Sequence, residues 1–292
     1  MQHDVIVVGG SYAGMAAALQ LLRARRTVLV IDAGERRNRF AAQSHGFLGQ
    51  DGADPAAIAR EALAQLERYP TLEWIDGIAD AAAGERDDFV VKAGPAEHSA
   101  RRIIFATGVK DGLPDVPGLA DRWGRSVFHC PYCHGYELNR GRIGVIGAGP
   151  GSIHQAQIVA EWGPLTYFPN GLAEVTGEEK ADLSRRGADV ETGRIAAIEG
   201  IADVRLMDGR VLQFAGLFTA PVCSPATPVA EVLGCALDET GMGTHLRTDG
   251  MKETSVPGAY ACGDVGRVPH SVSLAVGDGA WCGAMVHRSL VF

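Results

Sequence analysis

The chain opens on an apolar run, "DVIVV", stopped by "GGS" and followed by "YAGMAAALQLL", where apolar and small residues recur at helical spacing. A second short apolar run, "TVLVID", ends on a carboxylate. The pattern predicts strand, glycine turn, helix, strand. It returns in mid-chain as "RIGVIGAGPGSIHQAQIVA" followed by "LTYFPN". Between the two copies, "AAIAREALAQLERY" is an amphipathic helix, and Ile103 to Thr107 is a short apolar strand that ends in Thr107-Gly108. A Pro/Gly-rich linker follows. Near the C-terminus "TSVPGAYACGDV" predicts a turn, a strand of small apolar residues and then Gly263-Asp264, and "SVSLAVGDGAWCGAMVHRSL" predicts a packed helix. No low-complexity segment or short-period repeat interrupts this order.

Strand, glycine turn, helix and strand ending in an acid or amide is the order of a dinucleotide-binding βαβ unit. In the first copy Gly9 allows the tight turn, and Gly14 lets the helix lie close to the sheet. The helix N-terminus then offers unpaired N–H groups and positive dipole to a pyrophosphate. Asp32, 23 residues after Gly9, is placed for a ribose hydroxyl. Ser11 stands where the fingerprint has its middle glycine, a departure that Gly10 partly relieves. The second copy offers Gly147, Gly149 and Ser152, with Asn170 also 23 residues after its first glycine. Two copies with one internal spacing predict an α/β fold with two Rossmann-like dinucleotide-binding domains.

Composition narrows the partners. Of 292 residues 46% are hydrophobic and 21% charged, which is globular composition, and the formal net charge is −8 with no basic run. Nucleic acid is not an expected partner, because phosphate binding needs clustered Lys and Arg. The pair Arg36-Arg37 reads as a solvated loop. The apolar runs fall short of the roughly 20 residues that cross a bilayer, so no membrane segment is expected. The N-terminus shows no signal-type core, and the cytoplasm is the expected location.

The stretch "HCPYCHGYE", His129 to Glu137, carries the chemistry. By motif alone C-x-x-C-H is a haem attachment, half a zinc site or a redox dithiol. Haem attachment normally follows export. A closed zinc site needs four ligands, and no second C-x-x-C or H-x3-H pair follows. A reducing compartment favours a redox pair, and no metal is expected. At this spacing a disulfide closes within one turn, and a helix N-terminus can lower a thiol pKa. Cys223, Cys235, Cys262 and Cys282 are isolated and read as core.

Together the motifs resemble the low-molecular-weight thioredoxin reductases and their flavin-dependent dithiol oxidase relatives. The resemblance runs nearly end to end. It rests on "VVGGSYAG", "FATG", "CPYC", "GAGPGS" and "TSVPGAYACGDV" in that order, and "GGSYAG" with "CHGYE" looks closer to the dithiol oxidase branch. It implies that the second domain is inserted into the first: an FAD domain at 1–112 and 216–292, and a nicotinamide-type domain with the redox pair at 113–215. It implies FAD held by Gly9, Gly10, Ser11, Gly14, Asp32, Thr107, Gly108, Gly263, Asp264, His270, Ser271 and Val272. It also implies a homodimer whose partner is a small dithiol or disulfide, or a thioredoxin-like protein. Cys133 would face the flavin and Cys130 would attack the outside substrate. The related reductases place an aspartate proton donor after the second cysteine. Here His134 stands there as the candidate acid or base, with His129, Glu137, His45 and His270 as alternatives.

The resemblance implies an FAD-dependent thiol–disulfide oxidoreductase. Its rivals are an oxidase passing electrons to oxygen and a non-catalytic flavin redox sensor. NADPH-using relatives place basic residues after the second strand of the nicotinamide domain. This chain has "FPNGLAEVTGEEKADL" there, with no arginine before Arg185. NADH, or no nicotinamide at all, is therefore expected in preference to NADPH.

Overall fold

The computed structural model describes residues 2–172 and 174–292. The chain forms two compact units: the first runs to Arg39, takes in Phe47–Lys110 and resumes at Cys223–Phe292, and the second comprises Phe40–Gly46 and Asp111–Val222.

The first unit begins with β1 (His3–Val8), α1 (Tyr12–Arg23) and β2 (Val28–Asp32). α2 (Pro55–Leu66) and β3 (Leu72–Asp76) follow, then the strands β4 (Ala79–Glu85), β5 (Asp88–Ala93) and β6 (Ala96–Phe105). β7 (Val109–Gly112) leads into the second unit. There the order is β8 (Val127–Phe128), α3 (Pro131–His134), β9 (Ile143–Ile146), α4 (Ser152–Val159) and β10 (Leu165–Phe168). α5 (Gly177–Arg185), β11 (Ala188–Val190), β12 (Ile195–Glu199), β13 (Asp203–Leu206), β14 (Val211–Leu212) and β15 (Gly216–Thr219) complete it. The chain returns through β16 (Val222–Pro225), α6 (Val229–Val232), β17 (Leu237–Thr240), β18 (Gly243–Leu246), β19 (Ala259–Ala261) and α7 (Val272–Val291).

Both units use one plan. In the first, the parallel strands run β3-β2-β1-β6, and β19 pairs with the far end of β6. The near end of β6 turns into an antiparallel meander with β5 and β4. In the second, the parallel order is β11-β10-β9-β15-β8, and β12-β13-β14 form a separate antiparallel sheet. Parallel strands need crossover helices, so both faces of the sheet are buried. Alternation along β1 shows it: Val5 and Val7 join the core with α1 and α7, whereas Ile6 and Val8 join the core with Phe89, Val91 and Val229.

The return to the first unit comes at Cys223 rather than at residue 216. The physical reason is β15, whose residues Gly216 to Thr219 pair with Ile143 to Ile146 of β9 at the centre of the second sheet.

α1 is clamped between β1 and α7 by small residues. A Cβ on Gly14 would lie 1.8 Å from the Gly9 carbonyl oxygen, and one on Gly279 would lie 2.1 Å from the Ala13 carbonyl oxygen. Gly283, one turn on, would meet the Ala17 carbonyl oxygen at 2.4 Å. Gly279→Ala and Gly283→Ala should each destabilise the protein by about 1–3 kcal/mol, because overpacking moves backbone. Gly277 of the same helix has nothing within 4 Å of its Cβ position, so Gly277→Ala should be neutral or stabilising by up to about 1 kcal/mol. Urea unfolding of the three variants checks the contrast, and equal behaviour would show that the clamp is not close-packed.

Candidate active site

The C-terminal edge of the first sheet holds the first fingerprint. Gly9 has φ +102, and a Cβ there would lie 2.4 Å from the Ala106 carbonyl oxygen, so the turn sits against the exit of β6. Thr107 and Gly108 (φ +70) form that exit. Gly10 does more than relieve its neighbour. Its N–H donates to Asp32 Oδ1 at 2.9 Å, and a Cβ would strike the Trp74 ring at 2.4 Å. Ser11 is the N-cap of α1 in extended conformation, makes no side-chain cap bond, and heads a first turn with no acidic residue. An anionic diphosphate fits such a turn.

The Gly-Asp motif lies in the same unit. Gly263 has φ +72, and a Cβ there would meet the Ala13 Cβ at 2.6 Å. Its N–H donates to Asp278 Oδ2 at 2.9 Å, and Asp278 Oδ1 lies 2.6 Å from Lys252 Nζ. Asp278, with no signal in the sequence beyond its place on the last helix, thus fixes the motif. Asp264 lies 2.9 Å from Arg37 Nη1. The same guanidinium nitrogen lies 2.8 Å from His270 Nδ1, and Arg37 Nη2 is 3.7 Å from Cys223 Sγ. The reading of Arg36-Arg37 as a solvated loop is thereby corrected: Asp264 and His270 draw Arg37 inward. Ser271 caps α7, accepting from Leu274 N at 3.1 Å, and Val272 is its first residue. Cys235, Cys262 and Cys282 are buried. Burial and the neighbouring Cys262 push the Cys282 thiol up, which leaves it inert.

The redox motif lies in the second unit. Cys130 is the N-cap of α3, whose four residues make one turn and leave little dipole to act on a thiol. The Cys133 thiol faces Cys130 Sγ at 2.7 Å, in position to close a disulfide. Proline at the first position of the turn and the 3.2 Å bond from Cys133 N to Cys130 O hold the two residues on one face.

His134 stacks on Phe128, with ring centroids 4.3 Å apart. Burial pushes its pKa down to about 4, opposed by Glu137 and assisted by His45. At neutral pH it is therefore a neutral imidazole, able to accept a proton but not to act as a standing imidazolium donor. His45 Nε2 lies 3.4 Å from Glu137 Oε1, and His45, His129, His134 and Glu137, four of the candidate proton carriers, share one unit. His129 contributes its carbonyl, which accepts from Gln155 Nε2 of α4 at 2.8 Å. Gln155 went unnoticed in the sequence, where a glutamine on a helix signals nothing. It ties the residue before Cys130 to the helix of the second fingerprint.

That fingerprint is built differently from the first. Ser152 is fully buried, and its Oγ accepts from Ala148 N at 2.9 Å and Gly149 N at 3.1 Å. Two donors of the loop are thus used internally. A Cβ on Gly147 would lie 2.7 Å from the Pro169 carbonyl oxygen. Asn170 sits at the end of β10 with φ +52. Beyond it, Thr176 and Glu179 form a capping box that starts α5.

Among the described residues no group of three His, Cys, Asp or Glu is arranged to hold a metal, and no helix is long and apolar enough to cross a membrane.

The profile of the family described as pyridine nucleotide-disulphide oxidoreductase matches residues 3–279. Thioredoxin reductase tcpT of Claviceps purpurea is 31% identical, over 99% of this chain and 94% of its own length. Thioredoxin reductase sirT of Leptosphaeria maculans is 33% identical, over 97% and 93%. The crystal structure of an oxidoreductase from Agrobacterium tumefaciens superposes with a TM-score of 0.98 at 54% identity, over 100% of this chain and 99% of that one.

The neutral state of His134 gives a pH-dependent prediction. Its folded pKa of about 4 lies below the ordinary 6.5. Between those values the unfolded chain binds the proton and the folded chain does not, so stability is full above 6.5 and falls as pH drops toward 4. Wild type should lose roughly 2–3 kcal/mol more than His134→Gln between pH 7 and pH 4. Urea titrations at the two pH values measure this, and parallel losses would show that the ring is not held neutral.

Proposed function

The chain belongs to the pyridine nucleotide-disulphide oxidoreductase family, and from that premise we propose that Cys130 and Cys133 cycle between dithiol and disulfide while electrons pass between FAD and a thiol or disulfide substrate. The family's enzymes of the thioredoxin reductase type are flavin-dependent thiol–disulfide oxidoreductases. The observation that carries the proposal is the pair of sulfurs at 2.7 Å at the start of a one-turn helix.

FAD, when bound, supplies a two-electron carrier to the pair. The cradle for it is the turn from Gly9 to Gly14, with Asp32 and the Gly263-Asp264 motif. The close backbone approaches at Gly9 and Gly14 support that fit, since a side chain at either would strike backbone and push the N-terminus of α1 away from the turn. In the direction of dithiol oxidation, a substrate thiolate attacks Cys130 Sγ of the Cys130–Cys133 disulfide, and Cys133 leaves as thiolate. The second substrate thiolate then attacks the mixed disulfide, and Cys130 leaves. Substrate loses two electrons and two protons in all, and the pair gains two electrons. His134 as neutral imidazole accepts a proton beside Cys133, and the Glu137–His45 pair is the next place for it. Reduction of a disulfide substrate is the reverse.

A second reading, the dithiol oxidase that passes electrons to oxygen, is favoured by the second fingerprint. Ser152 already uses the Ala148 and Gly149 N–H groups. The segment after β10 presents Glu174, Glu178 and Glu179 against Lys180, so a 2′-phosphate meets net negative charge. A missing charge-assisted pair costs roughly 1.5–3 kcal/mol, about one to two decades in affinity.

Anaerobic titration of the flavin band with NADH, NADPH and a dithiol separates the readings. Dithiol should reduce the flavin, and NADPH should do so no better than NADH. Cys130→Ser and Cys133→Ser should each abolish thiol–disulfide turnover and leave FAD bound. Peroxide formed from dithiol and oxygen without nicotinamide selects the oxidase. Efficient reduction by micromolar NADPH, tenfold better than by NADH, selects an ordinary reductase.

A further inference from the structure

The redox motif has a neighbour that the thiol exchange does not use. Tyr132, between the two cysteines, is exposed, and its ring meets that of Trp162 edge-on with centroids 5.2 Å apart. Trp162 follows α4 and also packs against the turn after Cys133, where a Cβ on Gly135 would lie 2.5 Å from its ring. Trp162 is in turn a wall of a cavity of about 350 Å³ in the same unit, lined also by Arg140, Glu161, Gly163, Pro164 and Arg186. Among the described residues the side chains of Arg140 and Glu161 make no hydrogen bond or ion pair. Arg186, at the C-terminal end of α5, places its Nε on Asp182 Oδ2 at 3.0 Å. Asp182 is shared with Arg185 at 3.0 Å and with Gln157 at 2.8 Å, so one carboxylate serves two guanidinium groups.

The backbone gives a second, independent sign. Asn139 and Arg140 are consecutive non-glycine residues in the left-handed region, at φ +50 and +57, while Gly141, which takes that conformation freely, does not adopt it. Strain that carries an arginine to a cavity wall points to a role for the side chain. Two cations and a carboxylate beside an indole suit a ligand with a carboxylate, an ammonium and an apolar stem. An extended peptide covers roughly 3.3–3.6 Å per residue, so roughly two or three residues lead from the cavity past the Tyr132–Trp162 pair to the cysteines.

We propose that this cavity is a substrate subsite that holds the charged end of a small peptide disulfide while its sulfurs meet Cys130. Arg140, aided by Arg186, binds the carboxylate, and Glu161 binds the ammonium. This rests on the reading of Cys130 and Cys133 as a redox pair. The Cys130 thiolate attacks one substrate sulfur, and the first substrate thiolate leaves. The Cys133 thiolate then attacks Cys130 Sγ, and the second substrate thiolate leaves. The pair loses two electrons, the substrate gains them, and the two departing thiolates take up the two protons of the dithiol.

The test is the reaction of full-length flavoprotein, reduced anaerobically with stoichiometric dithionite, with three probe disulfides in stopped flow. Glutathione disulfide carries carboxylates and amino groups, 3,3′-dithiodipropionate carries carboxylates alone, and bis(2-hydroxyethyl) disulfide carries no charge. Return of the oxidised flavin band gives each second-order rate constant. Arg140→Gly should lower the ratio of the glutathione disulfide rate to the uncharged disulfide rate by about tenfold to a hundredfold, the range of a lost charge-assisted contact. Glycine relieves the left-handed backbone, so this variant should melt no lower than wild type. Glu161→Gln should lower the same ratio for glutathione disulfide and raise it for 3,3′-dithiodipropionate, which has no amino group to lose a partner. A ratio for Arg140→Gly within about twofold of wild type would overturn the inference, and so would a Glu161→Gln effect of one sign on both acidic disulfides. Reduced wild type that reacts with none of the three would instead overturn the redox reading beneath it.

Discussion

The close approach of three backbones at α1 is the constraint on which the first unit depends. The helix lies against the Gly9 carbonyl through Gly14 and against α7 through Gly279 and Gly283. No side chain fits at these points. Because the helix is held this near the sheet, its N-terminal N–H groups come level with the ends of β1, β2 and β6. The turn at Gly9, the carboxylate of Asp32 and the exit at Thr107 then face one place. α7 contributes at both ends of this arrangement. Its small face closes on α1, and its Asp278 accepts from Gly263, which holds the Gly-Asp motif against Ala13. A larger residue in the clamp would therefore displace the Gly9 turn through helix position.

The two units solve one topological problem in two ways. Each needs a fifth parallel strand beside the one that follows its crossover. In the second unit that strand is β8, supplied before the fingerprint. In the first it is β19, supplied from far along the chain. The interrupted chain course follows from this. The first sheet is completed only after the second unit has been made, so its edge strand, its Gly-Asp motif and α7 arrive together. A ligand bound to both the first and the last segments of the chain would tie their stability to each other, because a ligand that binds only the folded state adds to its stability.

Much of this plan is legible in the sequence because it is local. A short apolar run, a glycine turn and a helix period identify each fingerprint without reference to anything distant. The final helix and the Gly-Asp motif are legible for the same reason. What escapes is set by pairing across long separations. "GLFT" looks like any short apolar run, and only its register with β9 assigns it to the second sheet. Arg37 looks like a solvated charge until Asp264, 227 residues away, is brought to it. Gln155 acquires a role only when the backbone before Cys130 is folded over α4. His134 is visible as a candidate, but its neutral state depends on burial and on Phe128, which the motif does not show.

The two fingerprints, alike in sequence, differ in where their donors go. At the first, Gly9 N donates to Ile31 O and Gly10 N to Asp32 Oδ1, while Ser11 makes no cap bond with its side chain. At the second, a buried hydroxyl stands in for the anion. Ser152 Oγ takes the N–H groups of Ala148 and Gly149 and satisfies the loop without a ligand. The same helix then has a second duty, for Gln155 anchors the carbonyl of His129 beside the redox pair. In the first unit the helix is held by small residues against the end of β1 and against α7. In the second, the retained fold supports a reading in which the helix chiefly holds the cysteines in place.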